Sequence, residues 1–353
     1  MVYLNIFNKK PFLIAEVGVN FFDIAERDGI SDIDAAKLMI DEAKSCGVDA
    51  VMFQAYTAEN VVSQSDPAFW DSTEKPIDSQ FESFKKFDKF GEEEFRELSD
   101  YCIDVGIMFL ATPYDFESAD YLADFAKVLK ISSSDLTNIP FIKHIASKNK
   151  PILLSTGAST IKEIKDAVKA IEDVSTVDIA IMHCVLSHPT YYEDVNLLMI
   201  KDLASHFPEY EIGYSDHAKS DEDMMILTTA YTYGATILEK HFTLDKSLPG
   251  NDHCYSMDSS DVLKFKEKIS FLSKISGHIN KQPLICESAT RKETRRSVVA
   301  NKDIKRGTEI TESDIAFKRP GTGISPADVD SVTGKIACVD IPKDALIDFE
   351  MLK

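Results

Sequence analysis

A (β/α)8 barrel carrying a small β-rich C-terminal domain is predicted by three features of the sequence. Eight short apolar runs recur between residues 12 and 242, stretches of helical period separate them, and the pattern changes after residue 277. Continuous short apolar runs are those of strands buried on both faces, and their regular alternation with helices closes as a parallel barrel. An open doubly wound sheet is the structural alternative.

The runs are "FLIAEVG" (12–18), "AVMFQ" (50–54), "IMFLATP" (107–113), "VLKISS" (128–133), "PILLSTG" (151–157), "DIAIMHC" (178–184), "EIGYSDH" (211–217) and "ATILEKHF" (235–242). Between the first two, "DIDAAKLMIDEAKSCG" sets Ala36, Met39, Ile40 and Ala43 on one helical stripe, with Asp32 as the expected N-cap and Gly47 as the stop. "GEEEFRELSDYCIDVG" repeats the pattern with Phe95, Leu98, Tyr101 and Cys102, and "STIKEIKDAVKAIED" with Ile161, Ile164, Ala167 and Ile171. The long polar, aromatic stretch 59–90 follows the second strand, so a barrel puts it on the catalytic face as a lid or dimer contact, or as a plain surface excursion. From about residue 297, short strands alternate with Gly, Pro and Asp turns. The expected boundaries are a barrel domain at 1–280, a linker at 281–294 and a second domain at 295–353.

The chain has 353 residues, 44% hydrophobic and 28% charged, the composition of a globular protein. Its apolar runs are too short to span a bilayer, and "MVYLNIFNKKPFLIAEVG" has no signal-peptide layout, so a cytoplasmic location is expected. A formal charge of −20 argues against nucleic acid or an anionic membrane as partner, yet leaves room for a small anion held by a local cluster. Six cysteines, at 46, 102, 184, 254, 286 and 338, form no C-x-x-C pair and are expected to be buried or inert thiols.

In a barrel the βα loops meet where the strands end, and there the polar residues gather: Glu16 and Asn20; Gln54; Thr112; Lys130, Ser132 and Ser133; Ser155 and Thr156; His183; Ser215, Asp216 and His217; Glu239, Lys240 and His241. His217 and His241 end neighbouring strands. Two imidazoles with Asp216, Glu16 or Asp252 nearby suit a divalent ion such as Mn2+, Fe2+ or Zn2+, with water and substrate filling the remaining positions; the alternative is a hydrogen-bonded histidine pair. Lys130, Ser133, Ser155 and Ser215 form a second group, one ammonium and several hydroxyls able to hold a phosphate, beside the glycine of "STGAST" and the N-terminus of the next helix. In the second domain, Lys318 and Arg319 precede a Pro-Gly turn: a solvated basic loop, or one completing an anion site elsewhere.

"FLIAEVGVN", "LATPYD", "KISSSDLTNIPFI", "LSTGAS", "HCVLSHPTYYEDVN", "GYSDH", "LEKHFTLDKSLPGNDH" and "RRSVVANKDIKRGTEIT" with "FKRPGTGI" run through the whole chain in order. With them the chain resembles the sialic acid synthase family of N-acetylneuraminate, legionaminate and pseudaminate synthases. The resemblance implies a TIM barrel, a short linker and a small C-terminal β-rich SAF (antifreeze-like) domain. It further implies a domain-swapped homodimer in which each SAF domain covers its partner's barrel.

The implied reaction is a transferase condensation of phosphoenolpyruvate with the open-chain aldehyde of an N-acetylmannosamine-type sugar. It gives a nonulosonic acid and phosphate by carbon–oxygen cleavage. Position by position, His217 and His241 resemble ligands of Mn2+, with Mg2+ or Co2+ as alternatives. Thr112, Lys130, Ser133, Ser155 and Ser215 resemble phosphoenolpyruvate contacts; Gln54, Asp252 and Arg319 (from the partner chain) resemble sugar contacts. Glu16 resembles a residue facing the sugar and is a candidate for proton transfer.

Several positions depart from the family's pattern. Met52 stands where lysine is usual in "AVKFQ", "NFFD" replaces "NHNG" with Phe21 for histidine, and Leu186 and His188 replace an Asn and a Tyr. Activity is expected to survive with Lys130 and Lys240 as cations. Another phosphoenolpyruvate-dependent 2-keto-3-deoxy sugar acid synthase, a metal aldolase, or a non-catalytic sugar-binding homologue are the competing functions.

Overall fold

The computed structural model describes residues 11–67, 79–250 and 252–353, and the chain divides into two compact units between Ile275 and Ser276. In the first unit, eight parallel strands run in sequence order around a closed barrel: β1 (Phe12–Gly18), β2 (Ala50–Ala55), β3 (Met108–Pro113), β4 (Leu129–Ile131), β5 (Ile152–Ser155), β6 (Ile179–Cys184), β7 (Glu211–Asp216) and β8 (Ile237–His241). Closure is made by β1 pairing with β8, which sets Glu16 opposite His241. That pairing excludes the open sheet.

Alternation along the strands sorts the side chains into two layers. Phe12, Ile14, Met52, Leu110, Leu153 and Met182 form a buried cluster that fills the barrel. Their neighbours Leu13, Ala15, Val51, Phe53, Leu129 and Leu154 pack outward into the larger core shared with the helices. The barrel is solid below, so chemistry is confined to its C-terminal mouth.

The helices form where the apolar stripes fall. Asp32–Cys46 buries Ala36, Met39, Ile40 and Ala43 and stops at Gly47, which has φ 84°. Its N-cap is Ser31 and not Asp32: Ser31 keeps an extended backbone, and its hydroxyl accepts the Asp34 N–H at 3.1 Å. Glu92–Val105 buries Phe95, Leu98 and Cys102, and Ile161–Glu172 buries Ile164, Ala167 and Ile171. After β1, the segment expected only as a departure from pattern forms the helix Phe21–Asp28, with Phe21 and Phe22 buried against Phe90. The stretch 59–90 contributes the helix Gln80–Phe87, while residues 68–78 of it lie outside the described residues.

The second unit holds a two-stranded antiparallel sheet, β9 (Ser297–Ala300) with β10 (Ile315–Lys318), extended by isolated bridges such as Ile304 with Ile341. Val298, Ile304, Ile310, Val332, Ile341 and Ile347 are its core. Part of the polar connector before it is ordered as the helix Ser288–Thr294. Among the described residues no helix is long and apolar enough to cross a membrane.

Candidate active site

At the mouth, β7 and β8 bring two imidazoles together. The rings of His217 and His241 have centroids 5.6 Å apart. His217 Nδ1 lies 2.9 Å from the Val185 carbonyl, and His241 Nδ1 lies 3.5 Å from Asp252 Oδ2. A carbonyl or carboxylate beside Nδ1 is the arrangement that orients a metal-binding imidazole. Tyr255 packs edge-on against His241 at 5.3 Å, and His188 lies against His217 at 4.0 Å.

Glu16 and Gln54 close the same end on β1 and β2, with the Gln54 amide donating to Glu16 Oε1 at 3.3 Å. The β1–β2 register slips between Glu16 and Gly18, a bulge that ends pairing beside the site. Gly18, at φ 56°, is required there: a Cβ would stand 3.2 Å from Glu16 Oε1 and 3.3 Å from the Gln54 amide nitrogen.

The anion group assembles across β4, β5, β7 and β8. Lys130 Nζ pairs with Glu239 Oε1, and the same oxygen accepts the Ser215 hydroxyl at 2.8 Å. Ser133 Oγ accepts the Gly157 N–H at 3.0 Å, so close that a Cβ on Gly157 would stand 2.9 Å from it. Thr112 and Ser155 are buried on β3 and β5. Ser155 Oγ, Glu16 Oε2 and Glu239 Oε2 are buried and meet no hydrogen-bond partner among the described residues. Such atoms are costly unless a ligand satisfies them. At the helix N-terminus beyond "STGAST", Glu163 accepts the N–H and hydroxyl of Thr160.

Ten of the eleven expected site residues therefore belong to one end of the barrel unit. Arg319 lies in the second unit, exposed, just after β10. Three other strand-end groups turn away from the mouth. Lys240, between Glu239 and His241, alternates outward and is buried against Asp216 at 2.7 Å and the Ala218 carbonyl at 2.5 Å. Asp216 also accepts the Tyr214 hydroxyl at 2.9 Å, and His183 Nε2 meets the Val195 carbonyl at 3.1 Å. Lys240 is thus held away from the mouth, where Lys130 pairs with Glu239. Met52 itself is fully buried in the apolar filling of the barrel.

Sequence reading missed Glu239 as the partner of Lys130, and Tyr255, His188 and Cys184 beside the histidines. Alternation on β8 carried a signal for Glu239, since it shares a face with His241; the others arrive on loops or by packing. The mouth is electrostatically tense. Burial pulls the Lys130 ammonium down, but Glu239 and Glu16 outweigh it and raise its pKa. Burial would hold His217 neutral, yet the charge and hydrogen bond of Cys184 push it up to about 9. Cys184 in turn is lowered although burial opposes, through His217. Cys46 and Cys102 behave as ordinary buried thiols, raised to about 11 and about 12.

Burial lifts Glu16 from 4.5 to about 8, with Lys130 opposing and Glu239 adding to the rise. Between those values the folded chain holds a proton that the unfolded chain releases, so stability must fall as pH climbs from about 4.5 to about 8. Glu16→Gln is expected to remove a share of that fall on the order of 3–5 kcal/mol. Denaturant unfolding of both proteins at the two ends of this window measures it.

Among the described residues, no group of three or more His, Cys, Asp or Glu side chains is placed to hold a metal ion. The two imidazoles that are present, with centroids 5.6 Å apart, fit a labile divalent ion whose other positions come from water and substrate, not a closed structural site.

Comparison with known proteins gives this geometry a context. The sequence profile of the NeuB family matches residues 39–281, and that of the SAF domain matches residues 295–353. The chain is 40% identical to an uncharacterized protein of Methanocaldococcus jannaschii across 89% of this chain and 86% of that one. It is 36% identical to the N,N'-diacetyllegionaminic acid synthase of Legionella pneumophila, across 92% of this chain and 89% of the relative. The crystal structure of N-acetylneuraminic acid (sialic acid) synthetase from Leptospira borgpetersenii, in complex with citrate, superposes with TM-score 0.68 at 32% identity, covering 80% of this chain and 90% of that one.

Proposed function

From the premise that this chain belongs to the NeuB family and carries a SAF domain, we propose that it condenses phosphoenolpyruvate with an N-acetylmannosamine-type aldose to give a nonulosonic acid and phosphate. The observation that carries the reading is one mouth holding both the His217–His241 pair, 5.6 Å between centroids, and the Lys130–Glu239–Ser215 group.

Lys130, Ser133, Ser155, Ser215 and Thr112 would hold the anionic groups of phosphoenolpyruvate, and Gln54 and Asp252 the aldose. A divalent ion on His217 and His241, with Mn2+ the first choice, would supply Lewis acidity toward the aldehyde oxygen. Carbon 3 of the enol attacks the aldehyde carbon. Glu16, protonated near neutrality because its pKa stands at about 8, gives its proton to the oxygen that becomes the new hydroxyl. Water adds to carbon 2 and returns a proton to Glu16; the carbon–oxygen bond to phosphate then breaks as the new carbon 2 hydroxyl gives its proton to the departing phosphate and becomes the ketone. Burial of the site limits competing reaction with solvent.

The proposal extends to a domain-swapped homodimer in the cytoplasm, with Arg319 of one chain serving the sugar end of the other chain's barrel. Purified protein with Mn2+, phosphoenolpyruvate and a panel of aldoses tests the function. The first member is a 2,4-diacetamido-6-deoxy sugar, in keeping with the Legionella relative; phosphate release that depends on one aldose supports the reading, and none with any member refutes it.

Met52 sharpens the assay. A charged hydrogen bond is worth about 1.5–3 kcal/mol. Met52→Lys is therefore expected to lower the KM for phosphoenolpyruvate by roughly tenfold or more while the wild-type chain still turns over. Turnover found only in the variant would identify a decayed enzyme.

A further inference from the structure

Asp252 stands on a loop, yet its carboxylate must be held to ångström accuracy beside His241. The loop leaves β8 at Phe242 and returns at Met257, where Met257 N donates to the His241 carbonyl at 2.8 Å. Two side chains from the segment after β1 grip it from one side. Asn20 Nδ2 donates to the Phe242 carbonyl at 3.0 Å and to Ser256 Oγ at 3.3 Å, and Ser256 Oγ donates to the Asp252 carbonyl at 2.7 Å. Asp23 Oδ2 lies 3.3 Å from Nε2 of His253, the residue next to Asp252. His253 is wholly buried, and its Nδ1 meets Thr243 Oγ1 at 2.7 Å, so both ring nitrogens are engaged. One tautomer satisfies both: Nδ1 accepts from Thr243, and Nε2–H donates to Asp23.

The imidazole of His253 thus spans the loop, tying its outgoing limb at Thr243 to the helix Phe21–Asp28. That helix is fixed in turn by Phe21 and Phe22 in the aromatic core. Asp23 is also where the sequence departs from "NHNG", putting a carboxylate in place of a glycine. Lys86 approaches Asp23 at 3.5 Å but is half exposed, so it adds little.

We infer that Asp23 is a positioning residue, which sets Asp252 against His241 by anchoring His253. It touches neither reactant; it fixes the loop that presents the sugar-facing carboxylate. The inference rests on the condensation proposed above for its kinetic signature, but not for its structural one.

The test compares Asp23→Ala, Asp23→Asn and Lys86→Ala by steady-state kinetics and by hydrogen exchange of the segment 242–257. Asp23→Ala is expected to lower kcat/KM for the aldose about tenfold or more, as loss of an outer-shell partner does. The KM for phosphoenolpyruvate should stay within about twofold. Exchange should rise in 242–257 and not in the strands. Asp23→Asn, whose carboxamide oxygen still accepts from His253, should restore both readouts, and Lys86→Ala should leave them unchanged. The inference is overturned if Asp23→Ala matches wild type, if both KM values rise together with exchange across the barrel, or if Asp23→Asn is as impaired as Asp23→Ala. Should the wild-type chain show no turnover, the proposed function fails alone, and exchange in 242–257 still decides the anchor.

Discussion

His241→Ala is expected to abolish metal-stimulated phosphate release, lowering kcat by about 10³-fold or more, because Lewis-acid stabilisation is worth several kcal/mol. His217→Ala should do the same. The two should also fail together: the double variant is expected to be no worse than either single, since a two-nitrogen site that loses one nitrogen has lost the ion. Folding should survive, because neither ring is in the apolar filling of the barrel, and the β1–β8 pairing that positions His241 is made by backbone. Steady-state assays with and without Mn2+, on variants whose unfolding midpoint matches wild type, check this. Singles that keep metal-dependent turnover would remove the pair from the chemistry.

Lys130→Ala should be the more damaging change to the protein itself. Its ammonium is buried and paired with the Glu239 carboxylate, which raises its pKa against the pull of burial. Removing one partner of a buried pair leaves the other charge uncompensated, at a cost of about 3–5 kcal/mol. Lys130→Ala is therefore expected to unfold at clearly lower denaturant and to lose measurable saturation by phosphoenolpyruvate. Lys130→Met with Glu239→Gln should recover most of the stability, since no unpaired charge remains, but none of the phosphoenolpyruvate binding. Unfolding curves and phosphoenolpyruvate titrations on the single and double variants separate the two effects. A double variant that regained substrate binding would show that Lys130 serves structure alone.

Much of this site was legible in the sequence because a parallel barrel converts strand ends into neighbours. His217 and His241 are far apart in sequence, and only the order of strands was needed to bring them together. The failures come from what strand order leaves out. Reading "EKH" as three groups aimed at one place ignored the two-residue alternation of a strand, which sends Lys240 out to Asp216 and leaves Glu239 and His241 inside. Ser31 displaced Asp32 as a cap because two good capping residues stood side by side, and backbone conformation chose between them. The anchoring of Asp252 through His253 and Asp23 joins residues 230 positions apart, and no local pattern announces it. The Thr160–Glu163 capping box at the helix beyond "STGAST" was itself visible in the sequence.

Anomalous diffraction from crystals grown with Mn2+ and phosphoenolpyruvate tests the account most directly. One manganese peak is expected within bonding distance of Nε2 of both His217 and His241, with the enol phosphate against Lys130, Ser133, Ser155 and Ser215. Manganese bound elsewhere, or phosphoenolpyruvate ordered at a distance from Lys130, would contradict it.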